Sequence, residues 1–326
     1  MKWSSLLFWR RKPKPGVHQS AGDSRIPVTQ ISDSHSGPRD TAEVSRPSVG
    51  SERLPGIKHI IAVGSGKGGV GKSTVTVNLA LALQQQGASV GIVDADILGP
   101  SIPGMLNLPA GKKPATTEDG RMIPAESEGL KVVSMAMFAV DDQPAVLRGP
   151  MVGKYLNMFV GGVDWGKLDY LLLDLPPGTG DVQLTLAQNM PLSGVVIVTT
   201  PQSVSLKIAR RGLRMFEKVN VPVLGIVENM GTHICSNCGH EEAIFGSGGG
   251  DSISEQYDVD LLGSLPLSMH IREQADGGKP TVVAEPDSTS AESYRTIARR
   301  VGAKLSQQAT EQQGSRFPTI RVNKTS

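Results

Sequence analysis

The chain has 326 residues, a formal net charge of +2 and 38% hydrophobic residues, which is the composition of a globular protein with a sizeable core. So small a net charge does not indicate a nucleic-acid or membrane-surface partner. No apolar run reaches the roughly 20 residues that a membrane-spanning helix needs. Two cysteines three positions apart, Cys235 and Cys238, cannot form a disulfide framework for a chain of this size. They favour a reducing compartment and a metal or redox role.

The N-terminal segment, residues 1–52, is rich in Ser, Pro, Gly and Arg and has no sustained hydrophobic period, so we expect a disordered polar tail. In its first residues, MKWSSLLFWRRKPKPG, the charges follow a short apolar stretch, which is unlike a secretory signal. Arg and Ser suit a mitochondrial presequence, but acidic residues argue against one, namely Asp23, Asp33, Asp40 and Glu43. We therefore expect a cytoplasmic protein, with the mitochondrial matrix as the alternative.

From Ile57 onward, short apolar runs alternate with amphipathic stretches. We predict strands at 57–63, 88–94, 168–174, 194–200, 221–227 and 261–266. We predict helices at 71–86, 183–189, 203–218 and 288–306, with a less regular region over 110–165. The strand runs are continuous and β-branched, which indicates a parallel sheet buried on both faces. The chain is thus predicted to form one doubly wound α/β domain over 53–306, with a mostly parallel sheet and flanking helices, followed by a polar C-terminal tail over 307–326.

A glycine-rich loop, GSGKGGVGKST at 64–74, lies between the first predicted strand and the first predicted helix. Gly66, Gly71, Lys72 and Ser73 fit the pattern G-x-x-x-x-G-K-[ST]. Glycines let backbone N–H groups close around phosphate oxygens, and the helix presents its positive N-terminus to the anion. Lys72 would reach the β- and γ-phosphates, and the Ser73 hydroxyl would ligate Mg²⁺. We therefore predict ATP and Mg²⁺ binding, with the Lys72 side chain facing solvent when no nucleotide is bound.

Charged residues elsewhere suit the same site. Lys67 inside the loop is either a solvated lysine or a cation that meets the phosphates of a neighbouring subunit. Asp174 ends a predicted strand, where a carboxylate suits a water-mediated Mg²⁺ contact. Asp94 and Asp96 end another strand. One of them would orient the attacking water, and the alternative is a helix-cap or turn aspartate.

The pair Cys235-Ser-Asn-Cys238 follows a predicted strand and is flanked by His233 and His240. A [4Fe–4S] cluster takes four thiolates, so two chains related by a two-fold axis would complete the set. Zinc is the second interpretation, with both cysteines and both histidines as ligands, although four ligands within eight residues strain a tetrahedral shell. A thioredoxin-like redox pair is the third. The spacing alone leaves all three open.

These motifs resemble a known family. The string SGKGGVGKST resembles the deviant Walker A loop of the MinD, ParA and nitrogenase-iron-protein superfamily, whose signature lysine matches Lys67. Residues 55–306 are more narrowly similar to the Mrp/ApbC-type iron–sulfur cluster carrier ATPases. The similar runs are VDADILGPSIPGML, RGPM, WGKLDYLLLDLPPGTGDVQLTLAQ, VPVLGIVENM, HICSNCGHEEAIFG and IREQADGGKPTV. The resemblance implies a homodimer with slow ATPase activity that receives a [4Fe–4S] cluster from an assembly scaffold and passes it to apo-proteins.

The resemblance also implies residue roles. It gives Lys67 the trans-acting role, Asp96 the water-positioning role and Asp174 the Walker B carboxylate. It places Asn229 where the superfamily has an adenine-reading asparagine. It assigns the cluster to Cys235 and Cys238, and the phosphate contacts to Gly66, Lys67, Gly68, Gly69, Val70, Gly71, Lys72, Ser73 and Thr74.

Two departures from the family pattern affect what the resemblance implies. Many relatives carry an N-terminal accessory domain of about a hundred residues, where this chain has a short polar tail. In PQSVSLKIARRG, Ser203 and Ile208 stand where acidic residues are usual, the second of them near the network of the signature lysine. The ATPase rate and dimer coupling are expected to change, and nucleotide binding is not.

Two other functions compete with a cluster carrier. A positioning ATPase such as MinD or ParA needs a membrane-binding amphipathic helix or a basic DNA surface. The C-terminal stretch SQQATEQQGSRFPTIRVNKTS has no apolar face, and the one tight basic cluster is RRKPK at 10–14, in the tail. We therefore predict no nucleic-acid and no membrane partner. The other alternative is a zinc-stabilised nucleotide switch.

Overall fold

The computed structural model describes residues 54–96, 99–109, 111, 113–138, 149–235 and 237–314. The predicted N-terminal tail, residues 1–52, and the end of the predicted C-terminal tail, residues 315–326, lie outside this part of the chain.

The centre of the domain is an eight-stranded sheet with the order β10-β7-β6-β1-β5-β2-β4-β3. Neighbouring strands run parallel except for the antiparallel pair β3–β4 at one edge. The strands of this sheet are β1 (Ile57–Ser65), β2 (Val90–Asp94), β3 (Ala125–Ser127), β4 (Leu130–Ser134), β5 (Leu168–Asp174), β6 (Gly194–Thr199), β7 (Val223–Glu228) and β10 (Leu261–Ser264). A separate two-stranded hairpin consists of β8 (His233–Ile234) and β9 (Glu241–Glu242).

Helices cover both faces of the sheet. They are α1 (Lys72–Gln85), α2 (Ile102–Met105), α3 (Gly149–Gly161), α4 (Asp181–Asn189), α5 (Ser203–Lys218), α6 (Gly249–Tyr257), α7 (Met269–Asp276), α8 (Thr281–Ala284) and α9 (Thr289–Gly314). A short 3₁₀ turn follows β4. Along β1, Ile61 and Val63 pack into the core under α1 and α9, while Ile60 and Ala62 pack into the core under α3, α4 and α5. Because side chains alternate between the two faces of a strand, β1 is buried on both. The predicted doubly wound fold with a mostly parallel sheet is confirmed.

The predicted elements are all present. The six predicted strands differ from β1, β2, β5, β6, β7 and β10 by at most two residues at either end, and the predicted helix 203–218 matches α5. The less regular region contains β3, β4 and α3, which the sequence did not resolve. β3 has only three residues, too few for a pattern of period two to be recognised.

The end of α9 corrects the prediction for the C-terminus. The helix was expected to end at residue 306, and the polar tail to begin at 307, but α9 continues to Gly314. Tyr294, Ile297, Val301 and Leu305 are buried at helical spacing against the core beside α1. Beyond them, Gln, Ala and Glu are good helix formers, so the anchored helix extends without further apolar contacts.

Helix α5 carries an exposed basic stripe, consisting of Lys207, Arg211, Arg214 and Lys218. Spacings of four, three and four residues place these cations on one face of the helix. We expected no basic cluster in the domain outside the tail, and α5 does not meet this expectation. Its cations are separated by two or three other residues in the sequence and come together only on the folded helix. Separately, none of the helices among the described residues is long and apolar enough to span a membrane.

Candidate functional site

The glycine-rich loop lies at the carboxyl edge of the sheet, between β1 and α1. Two of its glycines are required by their surroundings. Gly71 has φ +79°, and a Cβ there would overlap the Asn229 amide nitrogen. A Cβ on Gly66 would stand 2.7 Å from Ile208 Cγ2 and 2.8 Å from the Ile208 carbonyl carbon. The loop therefore packs against α5 at Gly66 and against the residues that follow β7 at Gly71.

Lys72 and Asp174 form a buried ion pair at the start of α1. Lys72 Nζ lies 2.7 Å from Asp174 Oδ2, with the side chains 6% and 0% exposed. Ser73 Oγ donates to Asp174 Oδ2 at 2.6 Å, and Thr76 Oγ1 donates to Asp174 Oδ1 at 2.7 Å. The expectation that the Lys72 side chain faces solvent is wrong, because the carboxylate at the end of β5 holds its ammonium inside the site.

Thr76 is a part of this site that the sequence reasoning missed. It lies three residues after Ser73, so the two hydroxyls share one side of α1 and reach the two oxygens of the same carboxylate. The helical spacing from the predicted Mg²⁺ ligand was the signal that would have found it.

Asp94 is fully buried at the end of β2, next to Asp174 in the sheet register. Its Oδ2 accepts from Ser134 Oγ at 3.0 Å and from the Ile102 N–H at 3.3 Å, and its Oδ1 accepts from the Asp96 N–H at 3.2 Å. Burial, with the charge of Asp174 beside it, raises the pKa of Asp94 to about 7. Asp94 thus has the geometry of the cap or turn aspartate, joining β2, β4 and the start of α2.

Asp96 lines the cavity in front of the loop. This cavity measures about 200 Å³. Its lining includes Ser65, Lys67, Gly68, Gly69, Val70, Gly71, Lys72, Ser73, Thr74, Asp96, Ser101 and Met105. The structure therefore brings Asp96 together with the loop residues predicted to contact phosphate. Asp94, in contrast, is fully buried and does not line this cavity.

Lys67 lies on the loop with its ammonium directed to α5. Lys67 Nζ donates to Gln202 Oε1 at 2.7 Å, and the Lys67 carbonyl accepts from Ser65 Oγ at 3.0 Å. Gln202 was not singled out from the sequence, since nothing in a loop glutamine before a helix signals a partner 135 residues away.

Asn229 follows β7 directly and contacts the back of the loop. Its Nδ2 donates to the Val70 carbonyl at 2.8 Å, and its own N–H donates to the Thr199 carbonyl at 2.8 Å. Asn229 as a whole is 7% exposed. The predicted base-reading residue is thus placed against the phosphate loop, and its role toward adenine stays a prediction.

The thiol pair lies in the turn of the hairpin β8–β9. The Cys235 N–H donates to the His240 carbonyl at 2.9 Å, and the Gly239 N–H donates to the Cys235 carbonyl at 2.8 Å. Both thiols are free, Cys235 half-buried and Cys238 exposed. β7, from whose end this hairpin extends, runs parallel to β6 and β1, so the thiols and the glycine-rich loop belong to the same edge of the sheet.

The electrostatics of the turn favour a thiolate at Cys235. Backbone N–H groups of Cys238 and Asn237, together with the Cys238 thiol, lower the pKa of Cys235. Beside the turn, His233 Nδ1 lies 3.1 Å from the Leu267 carbonyl. Within the described residues, no group of three or more His, Cys, Asp or Glu side chains is arranged to hold a metal ion. One chain therefore offers two thiols and no third ligand from this part of the protein.

Comparisons with known proteins identify the family. A family model described as ParA, NUBPL iron-transfer P-loop NTPase, matches residues 56–302. An iron-sulfur cluster carrier protein from Pseudomonas fragi is 53% identical over 265 residues, which cover 80% of this chain and 92% of the relative. An iron-sulfur cluster carrier protein from Escherichia coli K12 is 54% identical over 252 residues, covering 77% of this chain and 68% of the relative.

The fold comparison agrees with the sequence comparisons. A nucleotide-binding protein from Archaeoglobus fulgidus, solved in complex with ADP, superposes with a TM-score of 0.64 at 39% identity. The match covers 74% of this chain and 93% of that one. Because the family model matches residues 56–302 and these two relatives are 53% and 54% identical over the aligned residues, the chain belongs to the NUBPL-type iron-transfer P-loop NTPases of the ParA family.

Proposed function

We propose that this protein is an ATP-dependent carrier that holds a [4Fe–4S] cluster between two copies of the chain and passes it to apo-proteins. The observation that carries the proposal is the pair of free thiols, Cys235 and Cys238, in a hairpin turn at the edge of the sheet that bears the nucleotide loop. The relatives from Pseudomonas fragi and Escherichia coli are named iron-sulfur cluster carrier proteins, which supports the same cargo here.

The number of ligands supports a shared cluster. A cubane cluster takes four thiolates, and the chain contains two cysteines. A symmetric pair of chains supplies the remaining two. Two ligands per chain in an exposed turn hold a cluster loosely, which suits delivery to another protein. Zinc within one chain is disfavoured, because no group of three or more His, Cys, Asp or Glu side chains among the described residues is arranged to hold a metal ion.

The residues around Asp174 fit Mg²⁺ and ATP. The Ser73 hydroxyl and the Asp174 carboxylate, 2.6 Å apart, are oxygen ligands of the kind that Mg²⁺ prefers. When bound, the ion would neutralise phosphate charge at this end of the loop. Lys72 would exchange its partner Asp174 for phosphate oxygens, while the N–H groups of residues 66–74 surround the phosphates. Asn229 would lie on the adenine side of the nucleotide, as the resemblance implies.

Hydrolysis is assigned to two further residues of the loop cavity. Asp96 lines this cavity and would orient the attacking water. Lys67 would leave Gln202 and reach the phosphates bound by the partner copy, which makes nucleotide binding favour the dimer. Ile208 packs against Gly66. The family pattern that the sequence resembles has an acidic residue at this position, so we expect slow turnover. The compartment would be a reducing one, the cytoplasm or alternatively the mitochondrial matrix, because both thiols must stay free to bind iron.

Anaerobic reconstitution with iron and sulfide tests this function. Wild-type protein is expected to bind about four irons per two chains, and Cys235→Ala or Cys238→Ala to bind none. His240→Ala is the matched control, since it alters the same turn without removing a thiol, and it should bind iron as wild type does. ATP binding should persist in all three variants. Bound zinc in a single chain, lost on changing His233 or His240, would overturn the proposal in favour of a zinc-stabilised nucleotide switch.

A further inference from the structure

A short segment, residues 229–234, joins the glycine-rich loop at 64–74, called here the nucleotide loop, to the turn that carries Cys235 and Cys238, called here the thiol turn. Asn229 touches the loop twice, through the Nδ2 bond to the Val70 carbonyl at 2.8 Å and through its close approach to Gly71. Cys235 follows six residues later, a span of at most about 20 Å even when extended. Any displacement of the loop that moves Asn229 therefore acts directly on the start of the segment that carries the thiols.

The segment is held along its length, so it is not slack. The Gly231 N–H donates to the Leu265 carbonyl at 2.9 Å, and the Leu267 N–H donates to the Thr232 carbonyl at 2.7 Å. His233 closes the series with its Nδ1 at 3.1 Å from the Leu267 carbonyl. These bonds join residues 231–233 to residues 265–267, so the two stretches are expected to shift together, and a displacement at Asn229 is not taken up by bending within the segment alone.

The end of β7, just before this segment, is held in place. Glu228, 7% exposed, accepts from the Gly250 N–H at 2.6 Å through Oε2, and its carbonyl accepts from the Leu265 N–H at 2.8 Å. Met230, next to Asn229, has φ +59°, a left-handed conformation that is uncommon for a side chain of its size. The chain therefore turns sharply at Met230, directly after the residue that contacts the nucleotide loop and before the residues that lead to Cys235.

We propose that Asn229 is a positioning residue that couples nucleotide at residues 66–74 to the exposure of Cys235 and Cys238. This deepens the proposed carrier function, on which it rests. Nucleotide closes backbone N–H groups of the loop around phosphate, which moves the Val70 carbonyl and with it the Asn229 amide. The stiff segment from Asn229 to His233 then carries that movement to the thiol turn. Because coupling is reciprocal, a group bound at the thiols changes nucleotide affinity by the same factor.

The test measures thiol alkylation by iodoacetamide in the full, reduced, metal-free chain, with and without MgADP. In wild type, saturating MgADP is expected to change the alkylation rate of the cysteines by about fivefold or more, the lower end of typical coupling between sites. In Asn229→Ala, measured at MgADP concentrations shown to saturate that variant, the change should fall below about twofold.

Asn78→Ala is the matched control. Asn78 is as buried as Asn229 and likewise donates its Nδ2 to a backbone carbonyl near the loop, that of Thr74 at 2.9 Å. Its Oδ1, however, accepts from the Val282 N–H on α8, away from the thiol segment. Asn78→Ala should lose stability as Asn229→Ala does and keep the full nucleotide effect on alkylation.

A reciprocal measurement needs no variant and so does not depend on folding of Asn229→Ala. The MgADP dissociation constant of wild type should differ between the alkylated and the unalkylated chain, because a group bound at one of two coupled sites changes the affinity of the other. An equal nucleotide effect in Asn229→Ala and wild type, or no effect in wild type, overturns the coupling. Loss of the effect together with a changed assembly state by light scattering also overturns it. If iron reconstitution succeeds while any of these occurs, the carrier function stands and the coupling alone has failed.

Discussion

At the scale of single residues, Lys72 and Asp174 form a buried ion pair at the nucleotide site. The sequence singled out both residues, because motif spacing predicts which side chains meet phosphate and Mg²⁺. It did not reveal that they hold each other, since this contact spans about a hundred residues and depends on β5 lying beside β1. The lysine therefore has a structural role in addition to the phosphate binding proposed for it.

Lys72→Ala is expected to abolish ATP binding and also to lower the free energy of unfolding by about 3 kcal/mol, because it leaves a buried carboxylate without its cation. Equilibrium urea unfolding and ATP titration measure the two effects. Lys58→Ala is the control, since Lys58 forms a similar pair with Asp169 at 2.6 Å but is 72% exposed, and it should unfold much as wild type does.

A double variant checks the cause of the lost stability. Asp174→Asn combined with Lys72→Ala should recover part of the loss, since a neutral amide carries no unpaired charge into the core. If the double variant is less stable than Lys72→Ala alone, the assignment of the loss to an uncompensated carboxylate is wrong.

Asp96→Asn is expected to keep ATP binding and to reduce phosphate release about 100-fold or more, as for a lost water-positioning carboxylate. Phosphate release at saturating ATP, beside a binding isotherm, separates the two steps. Asp287→Asn, an exposed aspartate in the turn before α9, serves as control and should hydrolyse ATP at the wild-type rate. Wild-type turnover in Asp96→Asn would remove Asp96 from the mechanism.

At the scale of elements, the buried strands and long helices were predictable because their apolar periods are strong. Segments without such a period were not, including the three-residue β3 and the basic stripe of α5, whose members are spread over the helix. The end of α9 was set too early, because the polar residues after Leu305 extend a helix that is already anchored. At the carboxyl ends of β2 and β5, the register brings two aspartates side by side, which no reading of either strand alone indicates.

The burial of Asp94 beside Asp174 makes the free energy of unfolding depend on pH. Asp94 has an ordinary pKa of 3.8, and burial beside Asp174 raises its pKa to about 7 in the folded protein. The folded state therefore binds a proton more tightly than the unfolded chain, and this contribution to stability, full below about pH 4, is lost as the pH rises through 7. Urea unfolding between pH 5 and 8, without nucleotide or Mg²⁺, should show stability falling more steeply in wild type than in Asp94→Asn. If the free energy of unfolding changes with pH in the same way in both proteins, the raised pKa of Asp94 is contradicted.

At the scale of the whole molecule, one sheet edge carries both the nucleotide loop and the thiol turn, and the proposed function needs a second copy of the chain at each. Lys67→Ala is expected to weaken ATP-dependent dimerisation more than ATP binding, because in the proposed dimer the cation would act on the partner's phosphates. Light scattering with and without MgATP measures this. Gln202→Ala, which removes only the partner of Lys67 within the chain, should dimerise normally. A Lys67→Ala protein that binds ATP poorly yet dimerises normally would exclude the trans role.

Native mass spectrometry of the anaerobically reconstituted protein tests whether one cluster is shared between two copies of the chain. We expect a single species with the mass of two chains plus one Fe₄S₄ unit, converted to cluster-free chains by Cys235→Ala or Cys238→Ala. One chain bearing a single metal ion, or two chains each bearing its own, would contradict it.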